Sequence, residues 1–317
     1  MTEELPPDEG SMDRMDGGPY AGTPPDQTDW DDSLPIQSPW RIAWRRFRRH
    51  RLAFGGLIFV LVLIAIAFLA PILAPQDPNV VDVSASRNPP SAEHLLGTDS
   101  AGRDVLSRLI YGSRVSLTVG VAAAMSAAGV GTLLGLLAGV AGGWIDAVIM
   151  RLVDVFLSFP SLMLILLLVA VLGPSVGTIV VVIAFFEWPT ACRIVRQMAL
   201  SIKETDFVLA ARATGSSRWR IMRKHVMPGV LSPLTVVATL LSAGAILLEA
   251  ALSFLGLGVK QPQASWGGML EEAQSLTILK EMPWLWIPPG AIIALTVLAI
   301  NFIGDGLRDA LDPRQQM

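Results

Sequence analysis

The sequence has few charged residues and almost no cysteine. Only 16% of its 317 residues are Asp, Glu, Lys or Arg, whereas soluble domains carry about 25%. With 52% hydrophobic residues as well, the chain cannot keep its whole surface in water, which excludes an ordinary soluble enzyme. The single cysteine, Cys192, excludes an internal disulfide and a thiolate metal cluster. Much of the surface is therefore expected to face lipid.

The net charge of -3 hides an uneven distribution of charge along the chain. Residues 1–40 hold ten acids and one arginine, which leaves 17 acids and 23 bases for the rest. Residues 1–39 also contain seven prolines, four glycines and no apolar run. Such a composition cannot bury enough surface to offset the entropy of ordering. We therefore predict a disordered acidic cytoplasmic tail over 1–39, and its lack of an early apolar stretch argues against a signal peptide.

Long apolar runs predict six membrane-spanning helices, because about 20 apolar residues of helix cross a hydrocarbon core of about 30 Å. The predicted spans are 52–74, one within 115–145, 152–172, 176–192, 230–255 and 286–303. With the N-terminus inside, the inner segments hold 17 Lys and Arg and the outer segments six. Basic residues favour the cytoplasmic side. The predicted fold class is an all-α polytopic membrane protein of six transmembrane helices with both termini cytoplasmic.

The predicted spans divide the chain after its tail into two parts. Residues 40–112 contain the first span and an extracytoplasmic loop, and residues 113–317 contain the other five helices. Asp99, Gly102 and Asp104 lie in that loop but lack the spacing of a calcium-binding loop. We expect a capped turn there, followed by an interfacial helix whose apolar residues at 105–110 face the membrane. The three histidines fall in different loops, so we expect no metal site and no bound cofactor.

Four glycines recur every four residues, at Gly131, Gly135, Gly139 and Gly143. On a helix this spacing gives a stripe without side chains, where another backbone can approach closely. Packing within the chain is the favoured interpretation. Contact with a second membrane subunit is the alternative.

The longest inner loop, 193–224, has the pattern of two short helices. Residues 206–214 are good helix formers, Gly215 suits a left-handed helix end, and Ser216 or Ser217 can cap a second helix. The second helix, 218–226, is basic and carries Trp219, and Pro228 then opens the fifth span. Such a helix can rest on anionic lipid headgroups. It can also dock into a groove on a soluble partner.

This loop resembles the cytoplasmic coupling loop of bacterial ABC importer permeases. Ala210-Ala211, then Gly215 after three residues and His225 to Pro228 after nine more, follow that family's Glu-Ala-Ala, Gly and Ile-x-Leu-Pro pattern. Leu209, His225 and Met227 depart from the general pattern, but His225 and Pro228 are similar to the branch that imports dipeptides, oligopeptides and nickel. Further similar stretches are 94–108, 142–146, 159–161, 252–258, 265–267 and 304–313.

The resemblance covers about residues 40–314 and fits the C-type permease subunit of that branch. It implies a type I ABC importer permease fold, with 113–317 as the permease core and a coupling loop at about 199–228. It also implies a bacterial inner-membrane location. The ATPase-coupling residues implied are Ala210, Ala211, Gly215, Arg218, Trp219, His225 and Pro228.

The implied assembly divides the work between subunits. Its partners are a homologous second permease subunit, two ATP-binding subunits that use ATP and Mg, an extracytoplasmic substrate-binding protein and membrane lipid, with no nucleic acid. None of the four lysines follows a glycine, so the chain lacks the glycine-rich phosphate loop of ATPases. We therefore expect a non-catalytic subunit whose partners hydrolyse ATP.

Two acids, Glu187 and Glu249, fall within predicted spans. A carboxylate at a helix centre costs roughly 2.5 to 3.5 kcal/mol on insertion scales, so both should face the protein interior or a water-filled path. A hydrogen bond to a neighbouring helix or loop is the favoured interpretation for both. The alternative is that they line the translocation path and that Glu249 meets the amino terminus of a peptide.

Three functions are compatible with a chain of this kind. The favoured one is the permease subunit of an ATP-driven importer of di- or oligopeptides, or of nickel or another small solute through the same machinery. A self-sufficient secondary transporter would need internal repeats and broken spans, and no convincing repeat is present. A membrane-embedded enzyme is disfavoured because no predicted span carries a histidine.

Overall fold

The computed structural model describes residues 39–311. All of the predicted tail at 1–39 except Pro39, which begins a helix, lies outside the described residues. All regular secondary structure among the described residues is helical, and they form no strand. The α-helices are α1 (Pro39–Arg49), α2 (Arg51–Phe68), α3 (Ala70–Leu73), α4 (Val105–Ala141), α5 (Gly143–Leu157), α6 (Ser161–Leu172), α7 (Val176–Lys203), α8 (Asp206–Ala213), α9 (Arg218–Ile221), α10 (Met227–Leu252), α11 (Trp266–Leu270), α12 (Leu276–Glu281) and α13 (Pro283–Leu311). Short 3-10 turns lie at Val83–Ala85 and Glu271–Gln274, and π turns at Met222–Val226 and Ser253–Leu257.

Five helical stretches within 39–311 are long and apolar enough to cross a membrane. They are α2, α4, α7, α13 and the helical stretch Arg218–Leu257, which bends at Gly256 (φ 81°), and a sixth span results if the bent pair α5 and α6 counts as one. The all-α class is confirmed within the described residues, and the predicted number of six spans is reached only with that bent pair. α4 is the central helix, and it packs against α7, α10 and α2.

The predicted third span, 152–172, is not one straight helix. α5 and α6 meet at an angle of 82°, with Pro160 as the residue before α6. Proline has no N–H to donate and disfavours helical backbone in the residue before it, which explains the break. At about 1.5 Å per residue, the 12 residues of α6 are too short to cross the membrane alone.

α7 is longer than predicted and passes through Pro189 without a break. The predicted span ended near residue 192, but the helix continues to Lys203. Neighbouring helices enclose the residues around the proline, since Trp188, Pro189 and Cys192 are all buried, and such packing lets membrane helices tolerate proline. The predicted inner loop 193–224 therefore begins only after residue 203.

α4 also begins earlier than predicted. The Asp104 carboxylate accepts a hydrogen bond from the Ser107 N–H at 2.8 Å and caps a helix that starts at Val105. The capped turn is confirmed, but the interfacial helix at 105–110 is wrong, because these residues are the first turns of the central helix and Val105 is buried. The predicted boundary between residues 112 and 113 falls inside this helix. It ends at Gly142, which has φ 65°.

Three of the four glycines in the predicted stripe hold α4 against α7. A Cβ added at Gly131, Gly135 or Gly139 would lie 2.5 to 2.6 Å from Ala191 Cβ, the Cys192 carbonyl oxygen or Ala199 Cβ, respectively. Only residues without side chains allow this approach, and close packing is what joins helices in lipid. Packing within the chain therefore accounts for them. Gly143 is not part of the contact, since it begins α5 and has open space around it.

α1 lies beside the start of α2 and the end of α13. Phe47 of α1 is buried in a cluster with Ala53 of α2 and Ala310 of α13. A Cβ at Gly306 would lie 2.2 Å from Ala53 Cβ, so the helices touch closely there. The described N- and C-terminal helices therefore meet at one end of the bundle.

Candidate functional site

The segment from Lys203 to Val226, called the coupling segment below, contains a defined turn. Gly215 has φ 82°. Its N–H donates to the Arg212 carbonyl oxygen at 3.0 Å, and the Ser216 N–H donates to the Ala211 carbonyl oxygen at 3.1 Å. These two bonds form the Schellman motif that closes a helix with a left-handed residue. The predicted left-handed glycine is confirmed, and the turn has a single defined shape.

The second arm of the coupling segment is capped but does not stop where predicted. Ser217 Oγ accepts a hydrogen bond from the Arg220 N–H at 3.3 Å, which confirms one of the two predicted caps. The predicted end at residue 226 is wrong, because α9 continues through a π turn into α10, with the Met227 N–H bonded to the Met222 carbonyl oxygen. Pro228 lies in the first turn of α10, a position that proline tolerates. The helical stretch from Arg218 thus continues through the π turn and α10 to Leu252 and is about 50 Å long.

Aliphatic contacts hold the coupling segment against the ends of α4 and α7. Val208 of α8 is 2% exposed and packs in one cluster with Leu136 of α4, Val195 of α7 and Val226 of the π turn. Lys203 Nζ also donates to the Gly139 carbonyl oxygen at 3.1 Å. α8 therefore lies fixed on the helix bundle.

The outer side of the coupling segment exposes large hydrophobic side chains. Phe207, Leu209 and Trp219 are 55%, 48% and 62% exposed. The other residues of the predicted coupling set divide by burial: Ala210, Gly215, Arg218 and Pro228 are exposed, and Ala211 and His225 are half-buried. The His225 and Phe207 rings lie 6.1 Å apart. Basic residues surround this surface, with Arg212, Arg220, Arg223 and Lys224 exposed. The surface is suited to docking on a partner with an apolar, acidic groove.

Glu249 lies in an enclosed cluster of hydrogen bonds. Its side chain is fully buried, and its carboxylate accepts from Ser116 Oγ at 2.9 Å and Ser253 Oγ at 2.7 Å. Ser116 Oγ in turn accepts from the Trp266 N–H at 3.2 Å. The favoured expectation of hydrogen bonds to neighbouring elements is confirmed. Glu249 is enclosed in this structure, and the alternative, that it lines the translocation path and meets the amino terminus of a peptide, stays a prediction.

Glu187 differs from Glu249 because it has no hydrogen bond or ion pair with another described residue. Its side chain is partly buried on α7. By helical spacing it shares a face with Ala184, Ala191 and Ile194, which pack against the cluster formed by α4 and α10. A hydrogen bond to a neighbouring helix is therefore wrong for Glu187 within residues 39–311. A role on the translocation path stays a prediction.

A charged network at the opposite end of the bundle was missed by the sequence interpretation. Asp99 forms ion pairs with Arg103 at 2.6 Å and Arg108 at 3.4 Å, and the three side chains are almost fully buried. Arg103 and Arg108 both donate to Gln261 Oε1, and Arg108 also donates to the Pro78 carbonyl oxygen. The opposite charges at positions 99 and 103, four residues apart, were the sequence signal that could have indicated this ion pair. Nothing in the sequence indicated that Gln261, more than 150 residues away, completes the network.

Comparison with known proteins matches most of the chain to one family. Residues 131–317 match the family described as binding-protein-dependent transport system inner membrane component, and residues 38–90 match the N-terminal transmembrane domain of oligopeptide transport permease C. The chain belongs to this family of transport system inner membrane components.

Relatives of known name cover nearly the whole chain. A dipeptide transport system permease protein of Alkalihalophilus pseudofirmus is 42% identical over 94% of this chain and 96% of its own length. A glutathione transport system permease protein of Pectobacterium atrosepticum is 43% identical over 88% of this chain and 92% of its own length. A peptide permease protein of Brucella suis is 42% identical over 90% of this chain and 95% of its own length.

Family membership places the chain in a bacterial inner membrane as a multi-pass protein. Such an inner membrane component is a permease subunit of an ABC importer. Systems of this family in general contain a second permease, ATPase subunits and a binding protein.

Proposed function

We propose that this chain forms half of the translocation path in an ATP-driven importer of di- and oligopeptides. The names of its relatives, which refer to peptides, dipeptides and glutathione, support this class of substrate. In this proposal a homologous permease supplies the other half of the path, and an extracytoplasmic binding protein delivers the peptide. ATP and Mg are bound by two partner subunits.

The observation that carries the coupling part of the proposal is the exposed surface of the coupling segment. Phe207, Leu209 and Trp219 are large apolar side chains that water contacts unless another protein covers them. They flank a turn whose backbone is defined by the left-handed Gly215. We propose that this surface docks on the ATPase subunits at the cytoplasmic face.

In this proposal, force passes along the helical stretch Arg218–Leu252. Its first turns belong to the docking surface and its last turns reach the opposite end of the bundle. A displacement imposed on Trp219 by nucleotide-driven closure of the ATPases would therefore move the whole helix. In the proposed mechanism this movement switches the path between outward and inward access.

The coupling proposal is tested by Gly215→Val in the reconstituted importer. A β-branched residue in the left-handed region costs about 1–2 kcal/mol, and open space around Gly215 means that no clash adds to it. We expect the ATPase activity to persist while peptide uptake falls at least about fivefold. Both are measured in proteoliposomes with the liganded binding protein.

Gly215→Asn is the matched control, because asparagine tolerates the left-handed region. It should keep uptake and ATP hydrolysis coupled. Normal coupling in Gly215→Val would contradict the proposal.

A second measurement addresses the partners. A tagged chain purified from its native membrane should bring ATPase subunits with it, and their absence would favour a self-sufficient secondary transporter.

A further inference from the structure

A charged cavity lies at the end of the bundle away from the coupling segment. Its volume is about 180 Å³, and its lining includes Arg108 of α4, Lys260 and Gln261 of the segment after α10, and Glu271 after α11. Three glycines, Gly256, Gly258 and Gly268, also line it, so the backbone is accessible over part of the wall. Pockets for drug-sized ligands measure about 300–1,000 Å³, so this cavity suits a ligand smaller than a drug molecule.

Arg108 gives the cavity a cation that is fixed in position. Its side chain is 3% exposed. The guanidinium donates to the Pro78 carbonyl oxygen at 3.2 Å and to Gln261 Oε1 at 3.4 Å, and its Nε lies 3.4 Å from the Asp99 carboxylate. These contacts come from three separate parts of the chain, so Arg108 has little freedom to move. A guanidinium held in this way is preorganised for a carboxylate.

Two further charges line the same cavity without a partner among the described residues. Lys260 and Glu271 are exposed, and neither forms an ion pair or hydrogen bond with another residue of 39–311. They carry opposite charges yet form no ion pair with each other. In contrast, the neighbouring Glu272 accepts from the N–H and the hydroxyl of Ser100. The two unpaired charges are therefore available to a ligand that carries both signs.

We propose that this cavity receives the charged ends of a short peptide on its way into the path, with the carboxylate at Lys260 and Arg108 and the amino group at Glu271. This inference rests on the proposed function. Bonds between ionised groups are shorter and about twice as strong as neutral ones, and a lining that carries both signs suits a zwitterion. The volume accommodates a dipeptide or the end of a longer chain.

The test uses the complete importer, with its binding protein and ATPases, in proteoliposomes and radiolabelled Ala-Ala as the probe. Lys260→Gln and Glu271→Gln should each lower the initial uptake rate about tenfold, the loss of one charge-assisted hydrogen bond. Stimulation of ATP hydrolysis by the liganded binding protein should stay unchanged. Lys260→Arg and Glu271→Asp, which keep the charges, should restore most of the uptake.

Lys280→Gln and Glu281→Gln are the matched controls, because both residues are exposed near the same end but do not line the cavity. They should transport Ala-Ala at the wild-type rate. Wild-type uptake in Lys260→Gln and Glu271→Gln would overturn the inference. An equal fall of uptake and ATPase stimulation in these two variants would also overturn the inference. That result would identify Lys260 and Glu271 as docking contacts for the binding protein.

The wild-type protein separates this inference from the proposed function. If the wild-type importer moves Ala-Ala and the neutralised variants do so equally well, the cavity is not a peptide site but the proposed function stands. If the wild-type importer moves no di- or tripeptide, the proposed function fails and the inference fails with it.

Discussion

The two ends of α4 are held in different ways. At its beginning, the buried charges of Asp99, Arg103 and Arg108 pair with one another and with Gln261. At its end, near Ala141, mainly aliphatic contacts hold the coupling segment, and Phe207 and Trp219 remain exposed. The first end pairs its buried charged side chains within the chain, with two arginines sharing one carboxylate. The second leaves large apolar side chains uncovered, and uncovered apolar patches in general mark interaction surfaces.

Gly135→Val should have the largest effect, because it breaks the close contact between α4 and α7 on which both ends of α4 depend for their position. A Cβ at this position would lie 2.6 Å from the Cys192 carbonyl oxygen and 2.8 Å from Val195 Cβ, so α4 and α7 must separate. Overpacking of this kind costs about 3 kcal/mol. We expect a lower yield of folded protein and a lower midpoint of thermal unfolding in detergent.

Gly129→Val is the control for this prediction. Gly129 lies on the same helix with nothing within 4 Å of an added Cβ, so the variant should unfold near the wild-type midpoint. Equal losses in both variants would mean that helix propensity, and not the contact with α7, is the cause.

Asp99→Asn should have the next largest effect on stability, and it changes only the charged network at the beginning of α4. The amide keeps the shape of the carboxylate but leaves two buried arginines without their anion. A hydrogen bond to a charged group contributes about 2 kcal/mol, and the unfolding midpoint should fall accordingly. An unchanged midpoint would show that this end is not held by its charges.

Glu249→Leu should destabilise the protein by about 1 kcal/mol, since Ser116 and Ser253 lose their acceptor. Glu187→Leu is the matched comparison in another span. It should leave the midpoint unchanged or raise it, because no described residue is bonded to that carboxylate. If Glu187→Leu is the more destabilising of the two, the difference between the acids is not one of hydrogen bonding within the chain.

Asp154→Asn should have the smallest effect. Its partner Arg193 lies at 2.7 Å, but the two side chains are 56% and 46% exposed. Pairs exposed to this degree contribute between about 0 and 1 kcal/mol. A loss equal to that of Asp99→Asn would contradict the view that burial distinguishes the two ion pairs.

The helices were largely predictable because their signals are local. Apolar runs identified where the spans lie, and the glycine at 215 with serine at 217 identified a turn and a cap. The predicted helix boundaries were wrong where tertiary packing determines whether a helix continues. Pro189 does not end α7 because its neighbours are enclosed, whereas Pro160 does end a helix. No local property of these two prolines separates the outcomes.

The candidate site was predictable only in part, for a related reason. The coupling segment is contiguous, so its residues could be named from spacing. The cavity lined by Arg108, Lys260 and Glu271 joins residues more than 150 positions apart. Only the fold brings them together, and the resemblance to a family did not assign roles to them.

The complete burial of Cys192 against α4 makes this protein convenient for spectroscopy. It is the only cysteine in the sequence, and surface-directed thiol reagents will not reach it. A cysteine introduced beside Trp219 and another beside Lys260 would therefore carry spin labels or fluorophores without prior removal of the native thiol. Distances between such labels during ATP turnover would report directly how far one end of the bundle moves relative to the other.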